Sequence, residues 1–502
     1  MADVVDVQAG GSQTDTVQPT ALRKNAIGLR EVTFQSVTDM APGAAIAASI
    51  PAGAAWAAGA LPLAVLFALV ASLLTAICVA ELVTRIPSAG SMGTYAAKGL
   101  HPWVGFLVGW GYNIAAALIA PLVLVQLGFT VAATLHSEWG VSANLWWPWS
   151  LAGAAIIFVF GVLGITASAR LGSILGAFEI AVFLAIAIFF IVHAGSHNTL
   201  EVFTTKFTPA AHKGLSGVFA ASVFTVLAFA GFTGAAPLAE EARDPKKTVR
   251  RAVLLSVVLI GALYVFTSYA ISVAFGPGHM VGFTSSGPNS WEGLASALYG
   301  VAWVFIFFAI VNSTVANANA GMNITTRTSF AFGRIGVLPN LFSALNKKHA
   351  PWVAVAVSSA FTVAITLGLG FAYGTTDAFD MFGTGIVVIL AGIYIVIDAS
   401  CIGYFLRHRE SLNPLLHIVI PILGMVAFVP AWLDAAGIKV FNFITPLPPP
   451  ISYMAIAVGI WMLIGVGFLV FHQRRHPERV SAMGDIHVDM ALVDHVDTPP
   501  LR

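Results

Sequence analysis

The chain has 502 residues, of which 58% are hydrophobic and only 9% are charged, and its formal net charge is +1. Soluble domains carry about 25% charged residues, so this composition indicates an integral membrane protein. The near-zero net charge argues against nucleic acid as a partner. The two cysteines, Cys78 and Cys401, both lie in apolar runs, so no disulfide framework is expected. Residues 1–26 lack an apolar core, and we expect no cleavable signal peptide there.

Twelve apolar runs reach the length of about 20 residues that a helix needs to cross a bilayer. They cover residues 31–55, 60–84, 103–135, 147–166, 171–193, 215–239, 252–275, 294–321, 351–373, 381–405, 415–434 and 451–472. These runs predict an all-α membrane protein with twelve transmembrane helices. Its membrane domain would span residues 27–472, between disordered cytoplasmic tails at 1–26 and 473–502.

The basic residues predict the orientation of these spans. All 24 lysines and arginines except Lys206, Lys213 and Lys439 fall in the tails or in loops on one side of the predicted membrane. Positive residues are retained in the cytoplasm, so we expect both termini to be cytoplasmic. An even number of crossings agrees with termini on the same side of the cell membrane.

The first and sixth runs are interrupted by glycine and proline, at Ala41-Pro42-Gly43-Ala44 and around Gly231-Phe232-Thr233-Gly234. A broken helix is tolerated in lipid only where it faces protein or a watery cavity, because every backbone polar group needs a partner. A pair of such breaks, one in each half, is typical of a transporter binding site. The alternative is that Pro42 and Pro237 merely kink two ordinary helices.

Five crossings separate the two breaks, so the second unit would be inserted upside down relative to the first. We therefore predict a five-plus-five inverted repeat, residues 31–193 and 215–405, followed by two appended helices in residues 415–472. A half-helix that begins within the membrane offers N–H groups, and one that ends there offers bare carbonyls for an ammonium or a sodium ion. The substrate-binding candidates are Asp39, Ala41, Pro42, Gly43, Ala44, Tyr112, Asn113, Phe229, Ala230, Gly231 and Phe232.

Three acidic residues, Asp39, Glu179 and Asp398, lie within predicted spans without a basic side chain at their depth. An ionised carboxylate there costs about 2.5–3.5 kcal/mol on insertion scales, so each must be protonated, reach water, cap a helix or bind a cation. Asp39 and Glu179 are candidate proton-coupling groups. For Asp398 we favour a structural role with access to interfacial water, and for Glu81 an ion pair with Arg85. The eighth run is unusually polar, with Asn312, Ser313, Thr314, Asn317 and Asn319, and the first three of these are candidates for ion coordination.

The sequence lacks the motifs of several kinds of functional site. No glycine-rich phosphate loop precedes a Lys-Ser/Thr pair, so we do not expect ATP to drive the protein. The thirteen histidines show no metal-ligand spacing. No catalytic constellation is apparent either, and we therefore expect no enzyme activity, no cofactor and no bound metal.

Three segments resemble the amino acid–polyamine–organocation (APC) superfamily of permeases. They are Ala80-Glu81-Leu82 with Arg85-Ile86-Pro87-Ser88-Ala89-Gly90, Phe229-Ala230-Gly231-Phe232 with Arg243-Asp244-Pro245, and Arg327 with Gly333-Arg334 and Leu338-Pro339, the last matching the family's loop after helix 8. The resemblance implies the five-plus-five fold shared with sodium-coupled amino acid transporters, and transport of an amino acid or a related amine.

The chain departs from this family at positions that matter for function. Leu227 stands where many members carry an aromatic gate, so the gate candidates are Leu227 and Phe229. Thr233 replaces a common glutamate, and Glu179 occupies the position of a lysine that replaces a bound sodium ion in many members. The prediction is a secondary transporter of an amino acid or amine, with proton coupling first and an exchanger or sodium-coupled carrier as alternatives. A channel or membrane receptor is the alternative from another class.

Overall fold

The computed structural model describes residues 27–88, 90–163, 165–239, 241–285 and 290–481, without the side chains of residues 164–175, 284, 285 and 481. The predicted tail at 1–26 and residues 482–502 of the predicted tail at 473–502 lie outside the described residues, whereas residues 473–475 and Pro477–Ser481 are helical. Helices dominate the described residues, and their only β-pairing is an isolated bridge between Ile27 and Ala242. The prediction of an all-α protein is confirmed.

The main helices follow the predicted runs in chain order, and we number them α1 to α12, with α1 and α6 each in two halves. They are α1a Leu29–Met40, α1b residues 42–57, α2 Leu61–Arg85, α3 Pro102–Trp139, α4 Trp147–Leu163, α5 Ile165–Ala194, α6a Leu215–Phe229, α6b Ala230–Leu238, α7 Pro245–Phe275, α8 Trp303–Arg334, α9 Trp352–Tyr373, α10 Thr375–Arg407, α11 Ile420–Ala436 and α12 Tyr453–Arg475.

Ten helical stretches of the described chain are long and apolar enough to cross a membrane. The longest, Leu29–Arg85, contains both the first and the second predicted span, whereas Trp147–Leu163 is a shorter apolar helix. The protein is therefore a multi-pass membrane protein, and the count of twelve crossings stays a prediction.

The eighth predicted run combines two separate helices. A short helix, Ser290–Tyr299, precedes α8, and Gly300 between them has a positive φ of 56° that ends the first helix. At its other end α8 continues to Arg334, so Arg327 and Gly333 are helical and do not form a loop. The expectation of a loop from residue 327 was wrong because the run of threonines and serines there continues the helix while staying buried against neighbouring helices.

Helices separated by five positions in the chain pack against each other: α1 against α6b, α2 against α7, and α3 against α8. An inverted repeat of five helices produces such pairs, because the two units are related by a pseudo-two-fold axis in the membrane plane. The α1a half lies among α5, α6b, α7 and α8, and this position places its end inside the protein, away from lipid.

Candidate functional site

The first helix is interrupted at Ala41, which has the left-handed conformation φ 48°, ψ 65°. The last carbonyls of α1a point to side chains of other helices. Asn317 Nδ2 donates to the carbonyl oxygens of Thr38 at 3.0 Å and Asp39 at 2.5 Å, and the Tyr264 hydroxyl donates to that of Met40 at 2.5 Å. A break of this kind is more than a proline kink, because the carbonyls of Asp39 and Met40 accept tertiary hydrogen bonds in place of helical ones.

The sixth helix changes its geometry at Phe229. It continues as a nine-residue 3₁₀ helix, Ala230–Leu238, although such helices rarely exceed three or four residues and often mark hinges when they lie within a longer helix. The Tyr394 hydroxyl donates to Ala230 O at 2.9 Å. Ser36 Oγ donates to Phe232 O at 3.1 Å and accepts from the Ala235 N–H at 2.9 Å, so α1a and α6b are tied together.

The two breaks are in direct contact. A Cβ atom added to Gly231 would lie 2.1 Å from the carbonyl carbon of Asp39 and 2.4 Å from the nitrogen of Met40. One added to Gly234 would lie 2.7 Å from Asp39 Oδ2. Only glycine permits this approach, because real Cβ atoms essentially never come within 3.0 Å of another heavy atom in this way.

A cavity of about 30 Å³ lies beside the breaks. Asp39 is the only ionisable side chain among the described residues that line it, and its Oδ1 is buried without a hydrogen-bond partner in the described structure. The other lining residues are mainly apolar: Met40, Ala41, Ala44, Ala45, Ser49, Ile119, Leu122, Val123, Gln126, Leu227, Ala228, Asn317, Phe379 and Ile386. The cavity has room for water but is well below the 300 Å³ or so of the smallest ligand pockets.

The bare carbonyls expected at the breaks are occupied in this conformation. Five side chains donate to them or to the start of α1b: Ser36, Gln126, Tyr264, Asn317 and Tyr394. Gln126 Nε2, for example, donates to Ala44 O at 2.9 Å. Unsatisfied buried carbonyls cost about 1–3 kcal/mol each, so these donors stabilise a break that would otherwise be expensive in a membrane.

Glu179 on α5 reaches the start of α1b. Its side chain is completely buried, and its Oε2 lies 3.1 Å from the position of a Cβ on Gly43, facing the Gly43 N–H and the Ser313 hydroxyl of α8. Neither carboxylate oxygen completes a hydrogen bond of normal distance and angle with the described residues. A carboxylate beside the first N–H groups of a helix interacts favourably with the helix dipole, and Glu179 therefore links α5 and α8 to the break in α1.

A larger cavity, of about 280 Å³, lies on the side of α1b and α6a, which the charge distribution predicts to be extracellular. Phe379 on α10 lines both this cavity and the smaller one, so it forms part of the wall between them. It packs edge-on against Phe129 of α3, with 6.0 Å between the ring centroids. We refer to the larger cavity as the vestibule.

The opposite side is closed by ordered contacts. Arg327 Nε pairs with Glu241 Oε2 at 2.8 Å, and both side chains are nearly inaccessible, at 5% and 3% exposure. The Ile27 N–H donates to Glu241 O at 3.2 Å, and the Arg243 N–H donates to Ile27 O at 2.9 Å. These contacts hold the start of α1a against the chain that follows α6b.

The aromatic candidates Phe229 and Phe232 pack against neighbouring rings and are not among the residues that line the small cavity. Phe229 packs edge-on against Tyr264 at 5.3 Å, and Phe232 packs against Tyr394 at 5.0 Å. Leu227, the other gate candidate, lines the small cavity. The Tyr112 hydroxyl lies 3.4 Å from Thr233 Oγ1, which belongs to the second break.

Several predicted polar residues make contacts elsewhere. Asn113 donates to Ser329 Oγ at 3.0 Å and to Thr325 O at 3.3 Å, which fixes α3 to α8. On α8, Thr314 donates back to Val311 O within its own helix at 2.9 Å, and Asn312 is only half-buried. Asn113 therefore serves helix packing in this conformation, and of the α8 candidates it is Ser313 that faces Glu179.

Two further acids differ in detail from the expectation. Asp398 accepts a hydrogen bond from Thr75 Oγ1 at 2.8 Å, as a structural acid should, but it is completely buried and does not reach interfacial water. Glu81 pairs with Arg250 of α7 at 2.8 Å, and the expected pairing with Arg85 is not seen among the described contacts. Glu81 pairs with Arg250 instead of Arg85 because α2 and α7 pack side by side.

The sequence interpretation missed Gln126, Tyr264, Phe379 and Tyr394 as site residues, and it noted Asn317 only as a polar residue of the eighth span. Gln126 was detectable from the sequence, since it is an amide in the middle of an apolar run. In the fold its side chain is buried, with 1% exposure. The aromatic residues gave no signal, because a tyrosine or phenylalanine in a membrane helix is ordinary by composition.

Comparisons with known proteins agree with this architecture. The family profile described as "Amino acid permease" matches residues 31–414. The "Low-affinity putrescine importer PlaP" of Escherichia coli K12 is 26% identical over 75% of this chain and 81% of its own. The "Branched-chain amino acid permease BcaP" of Lactococcus lactis is 24% identical over 80% of this chain and 85% of its own.

A crystal structure of a manganese transporter from Eremococcus coleocola is similar to this chain with a TM-score of 0.51 and 14% sequence identity, covering 91% of this chain and 94% of that one. This likeness concerns the fold. The curated relatives are named as transporters, and the family match covers most of the chain, which confirms the resemblance drawn from the motifs. The chain is a multi-pass membrane protein and belongs to the amino acid permease family of the APC superfamily.

Proposed function

We propose that the protein moves a small solute with an amino group, an amino acid or a related amine, across the cell membrane by alternating access, with both termini in the cytoplasm. Its relatives are named for putrescine, branched-chain amino acids and, in Pseudomonas aeruginosa, probable transport of GABA. An amino group is the feature that these solutes share.

The carboxylate of Asp39 carries this proposal. It lies in the small cavity between the two breaks, its Oδ1 has no partner among the described residues, and the described lining contains no basic side chain. An ammonium group that enters the cavity would form a charge-assisted hydrogen bond with Asp39, which is stronger than a neutral one. It would also compensate a buried charge that is otherwise costly.

The contacts around the cavity support alternating access. The vestibule reaches Phe379 from one side, whereas the Ser36 bridge and the Arg327–Glu241 pair close the other. Entry of a solute requires Phe379 to move, because the inner cavity measures only about 30 Å³. Release to the cytoplasm then requires α1a and α6b to separate at the bonds of Ser36.

Glu179 is the proposed proton-coupling group. It is buried between α5, α8 and the start of α1b, so a change in its charge alters the interaction with the helix dipole at the break. A sodium-coupled carrier and an exchanger are the alternatives. Proton coupling is favoured because the carbonyls that would coordinate sodium at the α1 break already accept hydrogen bonds from Asn317 and Tyr264.

The Glu179→Gln variant tests this coupling in proteoliposomes. The amide keeps the shape of the side chain but cannot carry a proton, so a pH gradient should no longer drive accumulation, while exchange of solute across the membrane continues. Asp398→Asn is the matched control, because Asp398 is another completely buried acid that lies away from both breaks. Unchanged concentrative uptake by Glu179→Gln would refute the role of Glu179.

Two further measurements separate the alternatives. Accumulation that follows a sodium gradient and ignores a pH gradient would favour the sodium-coupled carrier. Counterflow, in which unlabelled solute inside the vesicles drives uptake of labelled solute, is expected of a carrier, and its absence alongside rapid solute flux would favour a channel. Binding without any flux would favour a receptor.

A further inference from the structure

The vestibule contains a carboxylate that has no role in the proposed transport site. Asp380, on α10, lines it and is the only ionisable side chain among the described lining residues. It is half-buried, and it makes no hydrogen bond or ion pair with any residue that the structure describes. A half-buried carboxylate without a counter-charge in an apolar cavity is costly unless a cation compensates its charge or a proton neutralises it.

The walls of the vestibule are suited to a cation. The rings of Trp56, Phe129, Phe224 and Phe379 all line it. The face of an aromatic ring attracts an organic ammonium, and tryptophan does so more strongly than phenylalanine. A volume of about 280 Å³ is near the lower end of small-molecule pockets, so it is large enough for one small amine.

The charge nearest to Asp380 on α10 is also negative. Asp377, one turn earlier on α10, interacts electrostatically with Asp380 and adds to the negative field there. The described lining of the vestibule contains no lysine, arginine or histidine. An anionic solute would therefore be repelled before it reached Phe379.

We propose that the vestibule is a binding site for an organic ammonium group, in which Asp380 supplies the counter-charge and the aromatic rings supply the walls. Phe379 then lies between two carboxylates, Asp380 on the outside and Asp39 on the inside. The vestibule selects the positive amine before the inner site receives it. This inference rests on the proposed function. It narrows the solutes to those that carry an amino group and have no net negative charge.

A labelling experiment tests the site without depending on transport. Ala52 lines the vestibule, and the native Cys78 and Cys401 are completely buried, so a cysteine at Ala52→Cys is the accessible thiol of the described chain. Its reaction rates are measured with two methanethiosulfonate reagents, one bearing a trimethylammonium group and one bearing a sulfonate. Ala55→Cys, also in the lining, serves if Ala52→Cys does not fold.

In this background, Asp380→Asn should lower the ratio of cationic to anionic labelling rates by about tenfold, the effect of about 1.4 kcal/mol of charge interaction. Asp377→Asn is the matched control: it removes the same charge from the same helix at a residue outside the vestibule lining, and a change below about threefold is expected because charge interactions weaken with distance. Asp380→Glu should retain the ratio. Tetramethylammonium should protect the cysteine when Asp380 is present but not in Asp380→Asn.

Uptake of radiolabelled putrescine and leucine completes the test. If either is transported, Asp380→Asn should raise the KM for putrescine more than that for leucine, with kcat retained. An equal labelling ratio in Asp380→Asn and its parent overturns the ammonium site, whatever the transport result. A lowered ratio together with no uptake of any amine or amino acid would leave the site standing and refute the proposed function.

Discussion

The contact between the two breaks is tested most directly by Gly231→Ala. The added Cβ would lie 2.1 Å from the carbonyl carbon of Asp39, and ordinary van der Waals contact begins at 3.4 Å, so the two segments must separate by about 1.3 Å, the difference between these distances. The opposing atoms belong to the backbone and cannot rotate away. A shift of this size would also break the hydrogen bond from Ser36 to Phe232 O.

The expected cost follows from these two effects. Overpacking a well-packed interior costs about 1–3 kcal/mol, and a buried carbonyl left without a donor costs about 1–3 kcal/mol more. The conformation in which the two breaks meet should therefore be destabilised by roughly 2–6 kcal/mol. A displacement of about 1 Å at a binding site is enough to reduce turnover on the order of 100-fold.

Initial uptake rates in proteoliposomes and thermal unfolding of the purified protein would be measured for Gly231→Ala. Its control is Gly368→Ala in α9, where an added Cβ meets no atom within 4 Å. We expect the first variant to lose at least about tenfold in rate and to unfold at a lower temperature, and the second to match the parent. If Gly231→Ala matched the parent in both measurements, the breaks would not meet as described.

Two further predictions concern the closed side and the outer loop. Arg327→Met should destabilise the protein by about 3–5 kcal/mol, because it leaves Glu241 buried and unpaired. Arg250→Met, which breaks a more exposed pair, should cost about 0–1 kcal/mol, and equal unfolding temperatures of the two variants would contradict the prediction. Burial against Trp56, with 4.7 Å between the rings, lowers the pKa of His212 below its usual value of 6.5. The unfolded chain therefore takes up the proton first, and stability should fall as the pH drops below about 6.5. His212→Gln should lessen this loss in unfolding curves between pH 8 and pH 5, and identical pH dependence in both proteins would refute it.

The sequence alone was sufficient for the class of the protein and for the location of the breaks. Hydropathy and charge depletion act residue by residue, because each apolar side chain in lipid and each excluded charge contributes independently of its neighbours. Pro42, Gly43, Gly231 and Gly234 marked the breaks for the same local reason, since their backbone preferences do not depend on tertiary contacts. The family resemblance then supplied the connectivity.

Only the tertiary structure decided what each break faces. The sequence predicted bare carbonyls, but Asn317, Tyr264 and Tyr394 reach them from helices distant in the chain. The sequence likewise gave no sign that Phe379 would line two cavities or that Asp380 would line the outer one. Hydrogen-bond partners and cavity walls depend on which helices pack together and at what rotation, and periodicity within one helix carries no information on its neighbours.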